Sequence, residues 1–163
     1  MNQCTHQGEV SCTRPTSEQV RDLLRQAERL CAQRKQRLTE LRRRVLELVC
    51  GCKRPVGAYA LLDDLRKEGR SAAPPTVYRA LDFLQQQGLV HRLATNNTYI
   101  ACAHPDRSHE GVFLVCNGCG CTQEIHSQSI IKMLQSNAGE FNFQVEHAAV
   151  EITGLCLRCG AKA

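Results

Sequence analysis

Aromatic side chains are scarce in this sequence: Phe, Tyr and Trp together make up 4% of 163 residues, and Trp is absent. Large rings usually dominate the burial that holds small domains together, so a chain this poor in them needs another staple, either a metal or a partner copy. Long apolar runs are missing as well. None approaches the ~18 residues needed to cross a bilayer, and the opening MNQCTHQGEVSC lacks a basic-then-apolar leader. The chain is therefore expected in the cytoplasm with no membrane partner. No His-Glu-x-x-His string or Ser/His/Asp arrangement is visible, so neither an enzyme nor a small organic substrate is expected.

What the chain has instead is cysteine. Eleven thiols, an odd number, in a reducing compartment argue against a disulfide framework and for thiolates that hold metal. Charge is uneven too. Residues 1–95 carry 17 Lys+Arg against 10 Asp+Glu, while residues 96–163 carry 4 against 6. A basic front and a mildly acidic back imply that a polyanion is met by the front.

Periodicity divides the chain. Residues 1–16 read as a tail. Ser17 is the expected N-cap of a helix over 17–34 with Val20, Leu23, Leu24, Ala27 and Cys31 at helical spacing. Thr39 caps a second helix through Leu41, Val45, Leu48 and Val49, stopped near Gly51 and Pro55. A third runs over 58–68 and closes at Gly69. Pro74 and Pro75 open a fourth, since the first turn does not need their missing N–H, and Gly88 ends it. The period then changes: LVHRL and TYIAC, separated by Ala94, Thr95, Asn96 and Asn97, read as a β-hairpin. Helices followed by a hairpin give the order of a winged helix over 17–102, with the fourth helix as the recognition helix. Residues 103–110 are the linker. In 111–163, VFLVC and TQEI read as strands, 127–138 as a helix and 145–152 as a strand. The fold class is α+β, with an N-terminal winged helix-turn-helix domain and a C-terminal α/β domain that would be marginal alone.

Two cysteine pairs carry the strongest chemical signal. Cys116-Asn-Gly-Cys119-Gly and Cys156-Leu-Arg-Cys159-Gly each place two residues between thiols, so that both sulfurs of a pair can face one ion, and two pairs complete a tetrahedral zinc shell. The 36 residues between the pairs exceed the usual ribbon spacing and imply an inserted strand and helix. A redox dithiol is disfavoured, because that motif opens a helix in a βαβ unit.

Arg37-Leu38-Thr39, Pro75-Thr76-Val77-Tyr78-Arg79, Gly88-Leu89-Val90-His91, the Cys116–Cys119 string and Gly154-Leu155-Cys156-Leu-Arg-Cys159 resemble the ferric uptake regulator family over about residues 20–160. Cys102 points to its zinc-responsive branch, where a regulatory site is similar to the set His91, Cys102, His109 and Glu124. The iron-sensing branch usually carries a His-His-Asp-His string in the linker, which here reads Ala103-His104-Pro105-Asp106-Arg107-Ser108-His109. A thiolate with imidazoles and one carboxylate suits zinc better than an all-oxygen-and-nitrogen shell would. The resemblance implies a repressor of zinc-uptake genes, dimeric through its C-terminal half, binding an A/T-rich pseudo-palindromic DNA operator. It implies two Zn2+ per chain, one structural and one regulatory. An iron- or peroxide-sensing regulator of the same family is the alternative.

DNA would be read by Thr76, Tyr78 and Arg79 in the first turns of the recognition helix, with Tyr59 in the position that contacts DNA in relatives. Arg37, Arg42, Lys53 and Arg92 would add phosphate contacts. His104, His126 and His147 are candidates for a third metal site, with ordinary polar roles favoured. Cys4, His6 and Cys12 lie in the tail, Cys50, Cys52 and Cys121 have no partner set, and Cys31 fits a buried stripe.

Overall fold

The computed structural model describes residues 14–106, 111–146 and 148–161. They divide into two compact units, one within Arg14–His109 and one within Glu110–Ala163. The first contains α1 (Ser17–Gln33), α2 (Glu40–Cys50), β1 (Val56–Gly57), α3 (Ala58–Lys67), α4 (Pro74–Gln86), β2 (Val90–Leu93) and β3 (Thr98–Ala101).

Local chemistry explains most of these boundaries. The α1 helix is capped by Thr16 rather than the expected Ser17: the Thr16 hydroxyl accepts from the Gln19 amide while the Gln19 side chain accepts from the Thr16 amide. Thr16 wins because only it has a reciprocating Gln three residues on, which completes a capping box. Thr39 caps α2, and the two prolines occupy the start of α4, as the sequence implies. Gly69 and Gly88, at φ 73° and 66°, take the left-handed positions that follow α3 and α4.

The helices bury one apolar stripe each. Leu24, Val45, Leu61, Leu65, Val77, Leu81 and Leu84 are at most 1% exposed and close over Val90 and Tyr99 of the hairpin. Hairpin strands β2 and β3 pair antiparallel, Val90 opposite Ala101 and Leu93 opposite Thr98. The strand β1 was not expected; its two residues are too few to show a period, and they add to the outer edge of β3. Helices α2 and α3 are also joined through Arg44, which pairs with Glu47 at 2.7 Å and Glu68 at 2.5 Å. The four helices with this small sheet form a winged helix.

The second unit contains β4 (Gly111–Cys116), β5 (Thr122–Ile125), α5 (Gln128–Glu140), β6 (Ala149–Gly154) and the one-turn α6 (Leu157–Gly160). Its sheet order is β5-β4-β6, with β4 antiparallel to β5 and parallel to β6. The central strand is almost continuously buried, with both of its edges paired. The last strand starts at Ala149, not at the expected Val145. Its start is set by pairing, because Ala149 lies opposite Gly111, the first residue of β4. The α5 helix has no buried residue, so this unit holds little core beyond Val112, Phe113, Val115 and its cysteines.

Leu81, fully buried in α4, tests the first core. Leu81→Ala is expected to lower stability by ~2–5 kcal/mol through lost transfer and the cavity left behind, read from the denaturant midpoint of the helical transition by circular dichroism.

Candidate metal centre and nucleic-acid interface

The parallel pairing of β4 with β6 brings the two cysteine pairs together. Cys116 ends β4, Gly154 lies opposite it, and Cys156 follows two residues later. The Asn117 amide donates to the Gly154 carbonyl at 2.7 Å, fastening the first knuckle to the end of β6. All four Sγ atoms of Cys116, Cys119, Cys156 and Cys159 lie within 4.8 Å of one another. The Cys119–Cys156 sulfur separation is 3.8 Å. That is close to the edge of a tetrahedron with metal–sulfur bonds of about 2.3 Å, so the donor set fits zinc in both type and size.

The protons of this cluster are unequally held. The Cys156 amide donates to Cys116 Sγ at 3.2 Å, and this amide bond chiefly draws the Cys116 thiol down to about 6. Cys159 is pushed up to about 12 because hydrogen bonds with Cys156 and Cys119 keep its proton. One sulfur is ready as an anion while another needs a cation to release its proton. The second pair opens a short helix: Cys156 is the N-cap of α6. It still does not read as a redox dithiol, since its sulfurs face a second pair.

Gly118 shows how tightly the knuckle is built. A Cβ there would stand 2.9 Å from Cys159 Cβ and 3.0 Å from its sulfur, and a cysteine Cβ cannot swing away. Sequence reasoning missed this role, because glycine inside a Cys-x-x-Cys string gives no sign of what opposes it. Cys121 also departs from expectation. It is buried against the cluster, where no partner set was expected.

In the first unit, His91 on β2 and Cys102 just beyond β3 bring their ligand atoms within 4.8 Å of each other. Strand pairing accounts for the approach: Ile100 lies opposite His91, and the Cys102 amide donates to the Leu89 carbonyl at 3.0 Å. Cys102 is 1% exposed and His91 half-buried. Glu124 sits half-buried on β5, opposite Phe113. His109 lies outside the described residues, as do Cys4, His6, Cys12 and His147.

The remaining cysteines and histidines do not extend these clusters. Cys31 is buried on the inward stripe of α1. Burial pushes Cys50 up to about 12, keeping it a thiol, and Cys52 Sγ donates to the Leu48 carbonyl. Among the described residues, His104 and His126 are exposed and belong to no group of three or more close donors.

The recognition face is open. Thr76 and Arg79 are exposed in the first turns of α4, Tyr78 is half-buried, and Tyr59 at the start of α3 is 66% exposed. Lys53 and Arg37 are exposed as well. Arg42 has an internal role that the sequence did not disclose: its guanidinium lies 3.6 Å over the Phe83 ring and donates to the Arg37 carbonyl at 2.7 Å. Arg92 Nε donates to Asn97 Oδ1 at 2.9 Å across the hairpin turn.

Two consequences follow for the sulfur cluster. Gly118→Ala should weaken zinc retention against a competing chelator, whereas Gly139→Ala, with nothing within 4 Å of its added carbon, should not. Zinc retention should also fall steeply as pH drops through and below about 6, since protons then compete even for the Cys116 thiolate; a chelator titration across pH reads this directly.

Comparison with known proteins agrees with this architecture. Residues 33–153 match the model of the ferric uptake regulator family. The chain is 40% identical over 141 residues to the zinc uptake regulation protein of Escherichia coli K12, covering 86% of this chain and 82% of that protein. It is 31% identical over 105 residues to the zinc uptake regulation protein of Mycobacterium tuberculosis, covering 63% and 78%. A solved zinc uptake regulator complexed with zinc and DNA superposes with a TM-score of 0.85 at 38% identity, covering 91% of this chain and 98% of that one. With a family model spanning most of its length and a 40% identical relative, the chain belongs to the ferric uptake regulator family.

Proposed function

We propose that this protein is a zinc-dependent transcriptional repressor that binds operator DNA as a dimer when zinc is sufficient and controls zinc-uptake genes. The observation that carries the reading is the meeting of a buried thiol, Cys102, with an imidazole, His91, on the hairpin that directly follows the recognition helix. A soft and a borderline donor beside a DNA-reading element suit a zinc sensor. Likeness to a zinc uptake regulator complexed with zinc and DNA supports it.

Two metal roles are assigned. Cys116, Cys119, Cys156 and Cys159 hold a permanent zinc that staples β4 to β6. His91, Cys102, His109 and Glu124 hold the exchangeable one. These four come from separate pieces of chain, so one shared ion fixes the pieces to one another and selects the DNA-competent arrangement. Bound zinc supplies only this cross-linking. No catalytic step is required of it, and the protein acts as a regulator rather than an enzyme.

On the DNA side, Thr76, Tyr78 and Arg79 read the major groove, Arg79 as the fork suited to guanine, and Tyr59 contacts the backbone. The second unit carries the dimer contact. Phe141 is 82% exposed, Phe143 66% and Leu157 75%, and large apolar groups left in water on a helix-and-strand unit with a thin core favour burial against a second copy. A two-fold dimer presents two recognition helices to a pseudo-palindromic, A/T-rich operator.

The test is a metal titration of the dimer, stripped of exchangeable metal, read by fluorescence anisotropy on a palindromic duplex with zinc or iron(II). Zinc should restore binding. His91→Ala, Cys102→Ser and Glu124→Gln should lose the zinc response yet keep one zinc per chain, while Cys116→Ser should lose that zinc and the fold of the second unit. Arg79→Ala should weaken operator binding by ~1–3 kcal/mol and relax sequence preference. Binding that follows iron(II), or that ignores metal, would overturn the zinc reading.

A further inference from the structure

A side-chain fork joins the segment after Cys102 to the end of the recognition helix. Arg34, the C-cap of α1, donates through Nη1 to the Gln87 carbonyl and through Nη2 to the Pro105 carbonyl at 3.3 Å. Gln87 is the C-cap of α4. Carbonyls at a helix C-terminus lack partners inside the helix and sit at the negative end of its dipole, so a guanidinium is favoured there. Pro105 is buried and lies three residues beyond Cys102. Cys102 is itself tied by its amide to the Leu89 carbonyl, two residues past Gln87. The run Cys102–Pro105 is thus fastened to the C-terminal end of α4 at both of its ends, once by backbone and once by Arg34.

We propose that Arg34 is a positioning residue that transmits the metal state of Cys102 to the recognition helix. The proposal rests on the reading of Cys102 as a ligand of the exchangeable zinc. Drawing the Cys102 sulfur onto an ion shifts the short run that follows it. With both ends fastened, that shift reaches the end of α4; with the Pro105 end released, the linker takes it up. The planar fork matters, because one group spans two carbonyls from distant parts of the chain, and a lysine ammonium has no such fixed spread of donors.

The test uses the full-length dimer with its four-cysteine zinc retained and measures operator affinity by anisotropy, with saturating zinc and with the exchangeable site emptied by a chelator. Zinc affinity of the free protein is measured by competition with a fluorescent chelator. In Arg34→Ala the ratio of the two operator affinities should fall by ~5-fold or more, toward the lower edge of ordinary allosteric coupling. Metal-free operator affinity and zinc stoichiometry should hold. Arg34→Lys, which keeps charge and bulk, should give a smaller fall, and it decides the matter if the alanine variant does not fold. An unchanged ratio, or equal weakening with and without zinc, overturns the relay, since a purely structural role would lower both affinities together. Cys102→Ser run alongside separates the two ideas. A ratio abolished by Cys102→Ser but intact in the Arg34 variants sinks the relay alone; a ratio that survives Cys102→Ser sinks the metal-site reading beneath it.

Discussion

Four sulfur atoms within 4.8 Å of one another are the constraint on which the second unit depends. They join the end of β4 to the residues just after β6, two strands that meet in parallel only after a hairpin and a helix have intervened. Parallel pairing at that separation is entropically expensive, and the helix in the crossover buries nothing that could offset it. A tetrahedral ion at the cluster would close this loop covalently in effect, and its binding energy would become folding energy. The scarcity of aromatic residues has its structural counterpart here: three buried apolar side chains on β4 and a sulfur cluster stand where a larger core would otherwise be.

The first unit is built on the opposite principle. Its four helices and hairpin share one continuous apolar cluster that runs from Val20 to Tyr99, and its ion pairs, such as Arg43 with Glu28, lie mostly on the surface, where they contribute little. A reading element needs a fold that stands without a metal staple, and a self-sufficient core provides it. Arg42 stacked on Phe83 serves the same end, locking α2 and the turn before it to α4.

Much of this was legible in the residues. Helix starts at Thr39 and Pro74, helix stops before Gly69 and Gly88, and the hairpin around Asn96 and Asn97 each have a local cause, so a linear reading finds them. The four-cysteine cluster was legible because its spacing repeats. What escaped depends on partners far away in sequence. The start of β6 is set by Gly111 on another strand, the two-residue β1 exists only because β3 has an edge to offer, and Gly118 is required by Cys159. Arg34 looks like any surface arginine at the end of a helix, and its two acceptors lie 53 and 71 residues away. For the mixed site, residue types alone did not single out His91 or Cys102 from the other histidines and cysteines; only a family pattern did. Strand pairing supplies the missing reason for two of its members, since it sets His91 and the end of β3 side by side.

In the proposed reading, metal selectivity and signal transmission converge on one residue. The thiolate is the donor that would distinguish zinc from iron or manganese in a set otherwise made of nitrogen and oxygen. Cys102 is also the residue whose amide is tied to Leu89, the first residue after the turn that ends the recognition helix. A ligand placed anywhere else on the hairpin could bind the same ion, but its displacement would be spread along a strand. At Cys102 the sulfur and the amide tied to Leu89 belong to one residue, so under the proposed relay a shift that completes a coordination shell would be felt at the base of α4. A serine there would preserve the tie while removing the soft donor, and loss of the Arg34 side chain would preserve the donor while slackening the tie. The two functions are therefore adjacent in space and yet chemically separable.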